Sequence, residues 1–141
     1  MAGSVKDLAS YRYGCAVEDL TTARAVMPIG QYKSALNRSY YSIFHSLRAV
    51  NALDGFDSRK HSGVIAHFNQ YHVKSGDFPK EVSQMIRRAS EMRENADYED
   101  FFIASMQEAE AQIQDAAFIL DLVGQYLSDK GVYIEIGGCR Q

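Results

Sequence analysis

Apolar residues return along this chain at alternating steps of four and three, the spacing of one face of an α-helix and not of a strand. Over residues 4–27 the stripe is Ala9, Tyr13, Ala16, Leu20, Ala23 and Met27. Over 31–53 it is Leu36, Tyr40, Ile43, Leu47 and Val50. A shorter helix over 61–75 offers Val64, Ile65, Phe68 and Tyr71, and the next one offers Val82, Met85, Ile86, Ala89 and Met92. A last helix, up to about residue 129, carries Met106, Ala109, Ile113, Ala116, Leu120, Val123 and Leu127.

The breaks between these stripes carry the expected punctuation. Pro28 and Gly30 end the first helix, Asp54-Gly55 stops the second, and Gly76 closes the third. Pro79 falls in the first turn of the fourth, where its missing N–H is harmless. Asn95 to Phe102 reads as a connector, and Ser105-Met106-Gln107-Glu108 is a capping-box pattern opening the last helix. After Gly131 the tail alternates like a short strand, yet the chain offers it no partner strand. The expectation is an all-α antiparallel helical bundle of about five helices over residues 1–130. A short extended C-terminal tail, 131–141, is suited to docking on a neighbouring subunit.

A chain of 141 residues and 15.8 kDa is one domain's worth of protein. Its 46% hydrophobic and 23% charged residues exclude a disordered tail or a fibrous repeat. No apolar run approaches the length of a membrane span, and the first residues hold no secretory apolar core, so the expected location is the cytoplasm. Two cysteines, Cys15 and Cys139, make no disulfide framework, and Cys15 reads as a small core residue. Charge is uneven within the net −3: residues 59–93 hold 7 Lys/Arg against 3 Asp/Glu, whereas 94–129 hold 9 acidic residues and no Lys or Arg. A local basic face can therefore exist, although the pI of about 5.8 excludes bulk coating of nucleic acid.

The second helix carries the chemistry. Its core stripe spans roughly 80° of arc at 100° per residue. Arg38 and His45, seven positions apart, share a face nearly opposite to it. Around them stand Ser34, Tyr41, Ser42, Ala49 and Ala52, where an exposed helix would carry Lys and Glu. An uncharged back face implies a second contact surface, either another helix or another subunit. Arginine grips phosphate with a planar fork, and histidine both takes and gives a proton near neutral pH. Together they suffice for phosphodiester cleavage by a ribose 2′-OH without a metal. The same spacing also arises by chance in many helices.

The run Asn37-Arg38-Ser39-Tyr40-Tyr41-Ser42-Ile43-Phe44-His45 resembles the signature helix of HEPN domains, the higher eukaryotes and prokaryotes nucleotide-binding family. Its defining element is Arg, four to six residues, then His, and six intervene here. Lys60-His61-Ser62-Gly63-Val64 and Met92-Arg93-Glu94-Asn95-Ala96-Asp97-Tyr98 resemble two further stretches of small stand-alone bacterial and archaeal members. The resemblance covers roughly residues 5–128. It implies a bundle that forms a homodimer through the second helix. It also implies a metal-independent endoribonuclease, often the toxin of a toxin–antitoxin pair encoded beside a small nucleotidyltransferase. Carried over, Arg38 clamps the scissile phosphate and His45 acts as general acid or base beside its twin. Asn37 orients the phosphate or a catalytic group, and His61 either caps the third helix or reaches the dimer cleft.

Two departures stand against full transfer. Ser39 follows the Arg where active ribonucleases often carry Asn, Asp or His, and Leu47 stands where a modifiable tyrosine follows the His. A non-catalytic module binding a nucleotide or the nucleotidyltransferase is therefore the alternative. Tyr41 is placed to stack on a base or to pack in an interface. Arg93, with Arg87, Arg88, Lys74 and Lys80, either lines an RNA path or pairs with the acidic last helix, and Arg93 can also pair with Asp97. His61, His67 and His72 are spaced six and five apart, which does not place any two on one face as i,i+4 ligands would be, so neither a metal nor a cofactor is expected.

Overall fold

The computed structural model describes residues 4–134; residues 1–3 and 135–141, with Cys139 and most of the alternating tail, lie outside the described residues. Five α-helices follow in order: α1 Val5–Val26, α2 Tyr32–Leu53, α3 His61–Phe68, α4 Lys80–Tyr98 and α5 Met106–Asp129. A π-helical turn, Asn69–Val73, continues α3. The chain is all-α, as the stripes predict. The boundaries of α1, α2 and α5 fall within a residue or so of the expected ones.

Helix α2 is the axis of the bundle, touching each of the other four. Its predicted stripe is fully interior: Leu36, Tyr40, Ile43, Leu47 and Val50 are each at most 2% exposed. Contacts fix the directions. Asp19 meets Arg38, the Ser42 hydroxyl donates to the Ala16 carbonyl at 2.7 Å, and Arg12 reaches the Arg48 carbonyl at 3.3 Å, so α1 runs antiparallel to α2. Gln112 of α5 donates to the Leu36 carbonyl and Ser39 Oγ, while Tyr13 of α1 donates to the Leu120 carbonyl. Those contacts align α5 with α2 and set it against α1.

The α1–α2 seam is made of small residues. Ala9, Ala16 and Ala23 on α1 and Ala35, Ser42 and Ala49 on α2 are all completely buried. Each set is spaced by seven, so the register that joins Ser42 to Ala16 brings Ala35 opposite Ala23 and Ala49 opposite Ala9. The uncharged back face of α2 is thus largely covered by a helix of its own chain.

Three expectations change. Helix α4 runs through the expected connector to Tyr98, because Ala96 is buried and anchors its last turn. Met106, placed at the head of the α5 stripe, is 44% exposed. Tyr71 is exposed and His72 is buried in its place, at 3%. The cause of this last change is the π turn, marked by the bond from Lys74 N–H to the Asn69 carbonyl five residues back, which takes more residues per turn and delays the inward position by one. The ends match their caps: Ser105 and Glu108 exchange both capping-box bonds at 3.0 Å, and Gly131, at φ 81°, ends α5 while Val132 turns back into the core.

Gly124 of α5 tests this packing, because a Cβ there would lie 2.5 Å from the Tyr13 hydroxyl. An unhindered helical Gly→Ala change gains about 1 kcal/mol. Here the overpacked Gly124→Ala is expected to lose about 1–3 kcal/mol instead. Thermal unfolding checks this, with Tyr13→Phe in the same chain recovering part of the loss.

Candidate functional site

Four helices cover α2 and leave one polar stripe partly open: Ser34, Asn37, Arg38, Tyr41, His45 and Arg48. The 4-3-4-3 spacing from Ser34 to Arg48 is a face in its own right. Arg38, Tyr41, His45 and Arg48 line one wall of a cleft of about 470 Å³, and Arg12, Cys15 and Asp19 of α1 line the other. Arg38 and His45 therefore share one cavity, as their spacing predicts. Cys15, expected in the core, is half-buried in its wall.

Three guanidiniums, Arg12, Arg38 and Arg48, face two carboxylates, Asp19 and Asp57, leaving one positive charge in excess. Asp57 holds two of them: Arg12 Nη2 donates to Oδ2 at 3.0 Å and Arg48 Nη2 to Oδ1 at 3.1 Å. Arg38 Nη1 donates to Asp19 Oδ1 at 3.0 Å, and its Nε and Nη2 donate to Asn37 Oδ1 at 3.1 and 2.9 Å. Asn37 thus orients the arginine beside it.

His45 stands among these cations. Burial, followed by the charges of Arg48, Arg12 and Arg38, brings its pKa down to about 4, so at neutral pH the imidazole is uncharged. Its Nε2 lies 3.7 Å from Asp19 Oδ2, beyond a hydrogen bond, and the contact is not an ion pair while the ring is neutral. Its Nδ1 is buried with no hydrogen-bond partner among the described residues. Asp19 is itself pushed upward by burial, with Arg38 opposing that rise. The arrangement suits an anion: a phosphate beside these cations would offset the charges that disfavour imidazolium.

The remaining candidates gather around the Tyr41 ring. Arg38 lies over it at 5.2 Å and Arg93 at 5.9 Å, while the rings of His45 and His61 lie 6.0 and 5.8 Å away. His61 does not cap α3. It stacks on Phe44 at 4.0 Å, its Nδ1 is 2.8 Å from the Tyr40 hydroxyl, and burial followed by Arg93 and Arg48 lowers its pKa. His61 and Arg93 line a neighbouring cavity of about 570 Å³ with Tyr40 and Arg87, and Arg93 also lines a third, of about 460 Å³, with Asn37 and Arg38. Arg93 approaches Asp97 at 3.6 Å, and Arg88 pairs with Asp115 of the acidic last helix. Gly63 admits Ser58, whose Oγ would lie 2.7 Å from an added Cβ, and this explains the glycine of the Lys60–Val64 motif.

Both departures from the signature are interior. Ser39 is completely buried, donates to the Ala35 carbonyl and accepts from Gln112, so the position after Arg38 does not line the cleft. Leu47 is a core residue. The residues missing from the sequence reading are Arg12, Asp19, Arg48 and Asp57. Arg12 and Asp19 sit seven apart on α1, echoing Arg38 and His45, but only the rotation of α1 about its axis shows which way they face.

The spacing argument against a histidine cluster does not hold. His67 and His72 do share a face, because the π turn carries the chain between them: the Nε2 atoms of both approach Asp54 Oδ2, at 2.9 and 2.6 Å. Among the described residues these three make the one cluster of histidine, cysteine and carboxylate groups able to hold a metal ion.

The family model described as HEPN domain matches residues 9–126. A "UPF0332 protein" of Thermotoga maritima is 32% identical over 112 residues, 79% of this chain and 85% of the relative. A Methanocaldococcus jannaschii protein named "Putative toxin MJ0605" is 31% identical over 114 residues, 81% of this chain and 84% of the relative. A second from that organism, "Putative toxin MJ0142", is 29% identical over 101 residues, 72% and 69% of the two chains. None of the described helices is long and apolar enough to cross a membrane. With its arginine–histidine helix at the centre of an all-α bundle and the family model spanning most of its length, the chain belongs to the HEPN family.

Proposed function

We propose that this protein is a metal-independent endoribonuclease with a toxin-like role, acting as a homodimer joined along the open stripe of α2. The observation that carries the reading is the shared cleft, in which a neutral His45 stands among three guanidiniums, that of Arg38 included. The relatives named as toxins support the biological role, and the resemblance points to a small nucleotidyltransferase as the partner class. With Leu47 in the core, modification of a tyrosine at that position is not its means of neutralisation.

In this reading the guanidiniums draw the scissile phosphate into the cleft, and Arg38 turns its fork from Asp19 to the phosphate oxygens. Neutral His45 takes the proton of the ribose 2′-OH. The 2′-oxygen attacks phosphorus and the 5′-oxygen leaves, protonated by the histidine of the second subunit, which the bound phosphate holds as imidazolium. The products are a 2′,3′-cyclic phosphate and a 5′-hydroxyl. Tyr41 stacks on a flanking base, and Asn37 holds Arg38 in line.

End-labelled RNA incubated in EDTA is expected to be cleaved to cyclic-phosphate ends. His45→Ala and Arg38→Ala, as folded dimers, are expected to lose about 10²–10⁴-fold in rate. Equal background in all three proteins refutes the enzyme. It favours the non-catalytic module instead, a reading already consistent with Arg38 being engaged by Asp19 and Asn37 in the free protein.

A second measurement addresses the electrostatics. The ring proton of His45 in the free protein is expected to titrate near pH 4. A bound anion favours imidazolium, so a 2′-deoxy dinucleotide, which cannot be cleaved, should raise that midpoint by about one pH unit or more. Nuclear magnetic resonance reads both values, and an unmoved midpoint under saturating ligand places the phosphate elsewhere.

A further inference from the structure

The cluster at the C-terminal end of α2 lies apart from the cleft. Asp54 is the residue that ends α2, His67 is in the last turn of α3, and His72 is in the π turn. One oxygen, Asp54 Oδ2, faces both Nε2 atoms, and the three atoms lie within 4.8 Å of one another. The rings are held in place. His67 stacks on Phe56 at 4.0 Å and lies 4.6 Å from Tyr71, and His72 is enclosed by Phe68, Phe78 and Tyr126.

His72 is also held from its other side: its Nδ1 faces a second carboxylate, Asp77 Oδ2, at 3.3 Å, and its side chain is 4% exposed. With a divalent cation on the two Nε2 atoms and Asp54 Oδ2, this outer contact becomes the carboxylate–histidine–metal arrangement that orients such ligands.

The π turn is the second sign. Such turns are rare, appear frequently at functional sites, and cost regular hydrogen bonding. This one puts residues 67 and 72, five apart, on one face beside Asp54. The C-terminal end of α2 is also the negative pole of the helix dipole, which favours a cation.

We propose that Asp54, His67 and His72 bind one divalent transition-metal ion of the zinc class, with a fourth coordination position open to solvent. Two imidazoles and a carboxylate suit zinc and its d-block neighbours and not magnesium or calcium, which take oxygen ligands. Tetrahedral bonds to zinc separate neighbouring ligand atoms by about 3.3 Å. Asp54, exposed at the rim, therefore withdraws by about half an ångström to admit the ion. The bound ion ties the end of α2 to the π turn, away from the RNA cleft, so chemistry in EDTA and metal binding are separate properties.

Calorimetric titration of tag-free, EDTA-stripped protein with Zn²⁺ tests the site, with Co²⁺ as the spectroscopic probe. Expected are one ion per chain, a visible Co²⁺ absorption of low-coordinate character, and a higher melting temperature with Zn²⁺. Asp54→Ala and His67→Ala, both at the rim and checked for helicity, should abolish the Co²⁺ band. Asp77→Asn should weaken Zn²⁺ binding about 10–100-fold, as second-sphere changes do. His61→Ala, which removes a histidine outside the cluster, should leave binding unchanged. Uptake well below one ion per chain overturns the proposal. So does undiminished binding in Asp54→Ala and His67→Ala.

Discussion

The close approach of α1 to α2 is the constraint on which the rest of the molecule depends. It rests on six small buried residues at heptad spacing, with the Ser42–Ala16 bond at the centre. A larger side chain at any of these positions would hold the helices apart, and Asp19 would no longer reach Arg38. Because α1 lies so near, Arg12 and Asp19 face residues of α2 instead of open solvent. The cleft is therefore a product of helix packing, and its charges are placed by small residues that do not themselves line it.

Its electrostatics follow from the same closeness. Asp57, on the loop after α2, fixes Arg12 and Arg48, while Asn37 and Asp19 fix Arg38. Burial, and then three cations so restrained, keep His45 neutral, which is the form that can accept a proton. The cost is borne by His45 Nδ1, buried without a partner among the described residues, and by Asp19, whose burial opposes its charge. Unmet polar demand of this kind gathers where a ligand completes the site.

Much of this was legible in the sequence because it is periodic. The α2 stripe from Leu36 to Val50, the Ser105–Glu108 capping box and the Arg38–His45 face depend only on spacing along one helix. What was not legible depends on relations between helices. Arg12 and Asp19 are ordinary charges on α1 until its rotation is known, and Asp57 is an ordinary loop residue until Arg48 and Arg12 are seen to flank it. Asn95 and its acidic neighbours resemble a loop, yet buried Ala96 keeps α4 helical to Tyr98. The π turn was invisible for a different reason: a pattern read at 3.6 residues per turn points Tyr71 inward, and only hydrogen bonding shows that His72 takes the place.

The seven residues 54–60 between α2 and α3 show what such a fold lets evolution alter. A surface connection is ordinarily where insertions accumulate. Here Asp54 meets His67 and His72, Phe56 lies on His67, Asp57 holds two arginines, and Ser58 fits against Gly63. One added residue would break the phase between these contacts. Length variation among descendants of this chain should accordingly avoid 54–60 and collect about 99–103, in the connector where Phe101 and Ile103 stand in solvent.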